Sequence, residues 1–203
     1  MLVSLAVGWV LVGGVSVETD HPATGRILLR LIDAGITVVP KSAEAEVRVS
    51  FQLDAQGGRV RVEGPQTVEM TFDAASAAVA ELELGHRILL AVNKMSPTPH
   101  RGPEVVRIEV DAQLPAPIRA RLAVALLKTG HRISATAPNV VCARRAKTGL
   151  LLRRGVGACP DFGGLSLHLD ASLTGALRAM SSGRTAAAQA VPRTAAAQAV
   201  PRT

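Results

Sequence analysis

The stretch Pro22-Ala-Thr-Gly-Arg-Ile-Leu-Leu-Arg-Leu-Ile-Asp-Ala-Gly35 lies without a gap on Pro117-Ile-Arg-Ala-Arg-Leu-Ala-Val-Ala-Leu-Leu-Lys-Thr-Gly130, and this match decides the reading of the fold. Proline opens each segment and glycine closes it, the positions where a fixed φ suits a first helical turn and a left-handed residue suits a last one. Ile27, Leu31 and Ile32 in the first, like Leu122, Leu126 and Leu127 in the second, fall at i, i+4 and i+5 and so form one apolar stripe. Each segment therefore predicts a helix with one face to bury.

The flanks match as well. Val15-Ser-Val17 and Val105-Val-Arg-Ile108-Glu-Val110 precede the helices, while Ile36-Thr-Val-Val39 and His131-Arg-Ile133-Ser follow them, all with the β-branched content of strands. A hairpin comes next in each case. Val47-Arg-Val49-Ser-Phe51-Gln-Leu53 alternates, turns at residues 54–58 and returns as Val60-Arg-Val62-Glu; Val140-Val-Cys-Ala turns near Ala146-Lys-Thr-Gly149 and returns through Leu150 to Leu152. A helix over 74–95 closes the first copy, with Ala78, Leu82, Gly85, Leu89 and Val92 as its apolar stripe, and Leu173, Leu177 and Met180 mark a shorter one in the second.

The fold class expected is thus α/β with an α+β character. It consists of two repeated β-α-β-β-β-α units, each a mixed sheet with helices packed on it. The first spans 15–97 and the second 105–181. Residues 98–104, rich in proline, form a linker that no helix crosses. Residues 182–203 hold a tandem nine-residue repeat, Arg-Thr-Ala-Ala-Ala-Gln-Ala-Val-Pro, whose prolines break any helix; the tail is expected to be disordered.

Residues 1–14 are uncharged and mostly apolar, yet shorter than the roughly 20 residues a bilayer span requires. They read as a signal-like leader or as a buried first strand, and the length favours the leader, hence a periplasmic or envelope location over a cytoplasmic one. With no Tyr, three Phe and one Trp, the core is aliphatic and stacking platforms for sugars or bases are not expected.

The +7 charge of the chain is not evenly spread. Residues 15–97 carry eight Lys and Arg against eleven Asp and Glu, whereas residues 98–160 carry eleven against three. Arg144, Arg145, Lys147, Arg153 and Arg154 fall on one predicted hairpin, so they are the candidate surface for an anionic ligand or a partner, or for docking on the acidic first copy. Cys142 and Cys159 are candidates for a disulfide closing a loop of about 17 residues, or else two buried thiols.

Motifs that carry chemistry fail on context. Lys147-Thr-Gly149 has no Ser-x-x-Lys to accompany it, and Gly155-Val-Gly-Ala-Cys-Pro lacks the third glycine of a dinucleotide fingerprint. Among the histidines only Asp20 beside His21, and Glu83 one turn before His86, offer a near partner, which is too little for a general base or a metal site. No cofactor, metal or enzymatic activity is expected.

The Leu31-x-x-x-Gly35-Ile36 helix end, the Ala-Glu dipeptides before Val47-Arg-Val49 and the Gly57-Gly58 hairpin resemble the small α/β modules of bacterial envelope proteins, such as the TolB amino-terminal domain. The resemblance is one of pattern and covers residues 15–97. It implies a non-catalytic module mediating protein contacts in the periplasm. Two functions are thus carried forward: a non-enzymatic adaptor or binding module of the envelope with protein or anionic partners, and a cytosolic nucleic-acid binder using the basic second copy.

Overall fold

Residues 13–41, 43, 45–99, 104–146, 149–160 and 166–167 are described by the computed structural model, and the chain they form is mixed α/β. The first half runs β1 (Val15–Val17), α1 (Thr24–Asp33), β2 (Val47–Leu53), β3 (Gly57–Glu63), β4 (Thr67–Asp73) and α2 (Ala77–Met95). The second runs β5 (Val105–Val110), α3 (Pro117–Lys128), β6 (Arg132–Ile133), β7 (Asn139–Ala146), β8 (Gly149–Val156) and β9 (Ser166–Leu167). The leader over residues 2–12, Lys147, the helix around Leu173 and the repeat tail lie outside the described residues.

Both matched helices end as the glycines require. Gly35 and Gly130 have φ of 83° and 90°. Gly35 N–H donates to the Ile32 carbonyl and Ile36 N–H to that of Leu31; Gly130 and His131 do the same to Leu127 and Leu126. This is the paired closure in which only glycine avoids a Cβ penalty. Five of the six stripe residues are buried as expected, Ile27, Leu31, Ile32, Leu122 and Leu126 each at most 1% exposed, whereas Leu127 is only partly buried.

The strands pair as β1-β2-β3-β4 and as β6-β5-β7-β8-β9. β1 is parallel to β2, and β5 is parallel to both β6 and β7; the hairpins are antiparallel. The strand expected over 36–39 shrinks to one bridge residue, Val38, parallel to Val15 and antiparallel to Ile133. Helices α1 and α3 pack against each other over this junction, and their buried side chains belong to a single core cluster spanning both halves. Gly25 sits at that contact, where a Cβ would lie 3.1 Å from the Ala120 Cβ.

Two expectations are corrected. Strand β4 was not foreseen, although Thr67-Val-Glu-Met-Thr-Phe-Asp73 alternates and pairs along its whole length with β3. The helix over 77–95 turns a different face to the sheet: Ala80, Leu84, Ile88, Ala91 and Val92 are buried with Gly85, while Leu82 is 58% exposed. Apolar residues ring this helix, so more than one stripe of helical spacing can be drawn on it, and only the sheet beneath selects one.

Candidate functional site

A cleft of about 250 Å³ opens between α1 and α3, beyond the carboxyl end of β1. Val17, Leu28, Val39, Val124 and Leu127 supply aliphatic walls, and Asp20, Lys41 and Lys128 stand at its rim. The volume lies just under the 300–1,000 Å³ typical of drug-sized ligands, so it suits a smaller molecule.

The loop from β1 into α1 is held by its own polar groups. Thr19 Oγ1 donates to the Phe51 carbonyl at 3.1 Å and accepts from Phe51 N–H at 2.8 Å. Thr24 Oγ1 donates to the Thr19 carbonyl at 2.8 Å and accepts from His21 N–H at 3.2 Å. His21 Nδ1 accepts from Ala23 N–H at 3.1 Å, and its ring meets Phe51 edge-on at 5.8 Å. His21 is thereby a loop-fixing residue turned to Phe51, and its neighbour Asp20 pairs instead with Lys41 (3.1 Å). Lys41 also donates to the Glu18 carbonyl at 2.5 Å. Lys128, in the last turn of α3, forms no ion pair among the described residues and is exposed at the cleft's edge. The cleft can hold an apolar body and neutralise one negative charge.

The basic hairpin is divided by its register. Arg154 lies opposite Val141 and Arg145 opposite Leu150, while Arg153 lies opposite Cys142 and Arg144 opposite Leu151. Residues directly opposite share a face, as do alternate residues along a strand, and adjacent residues do not. Val141, Ala143, Leu150 and Leu152 belong to the core under the helices, so Arg145 and Arg154 share the helix side and Arg144 and Arg153 the other. The four described arginines do not form one patch; Lys147 lies outside the described residues. Arg154 is near enough to His131 to act on it: burial first, and then that positive charge, lower the pKa of His131 below its ordinary 6.5.

Cys142 and Cys159 are joined in a disulfide with Cα atoms 5.8 Å apart. Beside it, Arg107 donates to Glu109 and to the carbonyls of Ala137 (2.9 Å) and Gly157 (2.6 Å), and Glu109 Oε2 lies 3.0 Å from the Cys159 sulfur. Glu109, Cys142 and Cys159 are close enough to share an ion, but both sulfurs are spent on each other and offer no thiolate. The cluster therefore pins the end of β8 to β7 and β5. The cleft itself was missed at the sequence level, because its walls come from residues about 100 apart that carry no shared motif.

No family model, curated protein or solved structure matches the chain.

Proposed function

We propose that the protein is a non-enzymatic binding module of the bacterial cell envelope, an adaptor built from two copies of one α/β unit, and that the cleft between α1 and α3 takes a small anion with an apolar body. One observation carries the ligand reading: aliphatic walls end at an exposed lysine, Lys128, that forms no ion pair among the described residues, while Asp20 in the same cleft is paired with Lys41. Apolar contact would hold the body of the ligand and the ammonium groups of Lys128 and Lys41 its charged end.

Duplication is supported by coincidences beyond the original match. Gly35 pairs with Gly130 in backbone conformation, and Val38 with Ile133 in position after the helix, at one constant spacing along the chain. The strand order Val38-β1-β2-β3-β4 parallels β6-β5-β7-β8-β9. The envelope reading draws on the disulfide, which persists in oxidising compartments, and on the apolar run at residues 2–14. The nucleic-acid alternative loses its main support, since the arginines it needs on one surface are split between two.

Calorimetric titration of the full chain with hexanoate, hexan-1-ol and hexylamine tests the ligand reading. Hexanoate should bind most tightly, and Lys128→Ala should weaken it while leaving hexanol unchanged. Equal affinity for acid and amine, or no binding of any, defeats it. Cell fractionation with mass analysis of the mature protein tests the compartment.

A further inference from the structure

The outer face of α2 carries an apolar stripe that the sheet leaves uncovered. Val79, Leu82 and Leu90 are 47%, 58% and 48% exposed, and exposed His86 lies between the two leucines. At 100° per residue these four fall within one narrow sector of the helix, opposite the buried Leu84 and Ile88. Toward α1 the stripe borders a shallow groove in which Leu82, His86 and Leu89 face Arg30 and Asp33. Along its other flank run Glu83 and Arg87, paired at 2.7 Å, with the Arg87 guanidinium seated 5.3 Å over the Phe72 ring.

The stripe is symmetric about His86. Leu82 and Leu90 stand four residues to either side. We propose that this face is a self-association surface, on which α2 of a second copy lies antiparallel about a two-fold axis through His86. Leu82 then meets the partner's Leu90, and Leu90 the partner's Leu82. A two-fold of this kind brings the Glu83 flanks together: at 1.5 Å per residue, Glu83 falls within about 3 Å in height of the partner's Arg87, and the reverse contact repeats it. A parallel pairing would set the Glu83 flank against the partner's Leu89 flank and lose this charge contact, so the charges favour the antiparallel arrangement. The proposal does not depend on the cleft.

Light scattering behind size exclusion, run on the full chain over a range of loading concentrations, should give a mass rising toward twice the 21.1 kDa of one chain. The double variant Leu82→Arg, Leu90→Arg should remain at the single mass with an unchanged circular dichroism spectrum, because both side chains are exposed. Geometry supplies a second readout that needs no disruptive change. Under mild oxidation His86→Cys should give a covalent dimer, whereas Leu82→Cys should not, its two copies being about 12 Å apart along the axis and beyond disulfide reach. A single mass at every concentration, a dimer that survives the double variant, or cross-linking of Leu82→Cys in preference to His86→Cys would overturn the proposal.

Discussion

Val38 and Ile133 exchange two backbone hydrogen bonds, each 2.8 Å long, and this one antiparallel pair joins the strands of the first half to those of the second. Both residues are fully buried, under the contact between α1 and α3. With a single core cluster running through the junction, the halves should unfold together: urea denaturation followed by circular dichroism should show one transition. Two resolved transitions would mean two independent domains. Ile133→Pro removes a ladder donor and a buried side chain at once, and should cost roughly 3 kcal/mol or more in the same experiment.

Gly25 tests how tightly the two helices are set. Its would-be Cβ meets the Ala120 Cβ at 3.1 Å and the Ala120 carbonyl oxygen at 3.3 Å, so the neighbouring backbone has to move for anything larger. Gly25→Leu should lower stability by about 1–3 kcal/mol through overpacking. Gly35→Ala makes a contrast, since nothing lies within 4 Å and the whole penalty is the left-handed backbone, about 1–2 kcal/mol.

His131 should make stability depend on pH. Burial and the Arg154 charge hold its folded pKa below 6.5, so the unfolded chain takes up the proton first as the solution is acidified. Its contribution is complete above pH 6.5, and is lost as pH falls from there toward the folded value. Chemical denaturation at a series of pH values should show this slope, and His131→Gln should flatten it. A slope of the opposite sign would contradict the burial of His131 beside the Arg154 charge.

The disulfide between Cys142 and Cys159 closes a 17-residue separation, so reduction should lower stability by about 3 kcal/mol in the loop-entropy picture. Thermal unfolding with and without dithiothreitol measures it, with Cys142→Ala, Cys159→Ala as a thiol-free control. An unchanged midpoint would mean that the Arg107 clamp already holds residue 157 and its neighbours by itself.

What could be read from the sequence is what local chemistry decides. The stripes of α1 and α3, their closing glycines and the alternation of β2 each depend on neighbours within a few residues. What escaped depends on partners far along the chain. The face that α2 buries is selected by β2 and β3, since its own residues permit several. Arg144 and Arg145, adjacent in sequence, part because a strand alternates its faces, and their relation to Arg153 and Arg154 needed the register of the β7–β8 turn. β4 was passed over because Glu69 and the threonines made a polar edge strand look like loop, although Val68, Met70 and Phe72 alternate between them. The Val38 junction leaves no local signal, being one residue paired with another in the opposite half.

The claim that the space between α1 and α3 is a binding site can be observed at its walls. Methyl-resolved NMR of the full chain during titration with hexanoate should shift the signals of Leu28, Val124 and Leu127 and leave those of Leu150 and Leu152, under the far end of the sheet, in place. Leu28→Trp, which fills the cleft, should abolish the shifts. Wall methyls that stay unmoved at saturating hexanoate, or that respond equally to hexylamine, would contradict it.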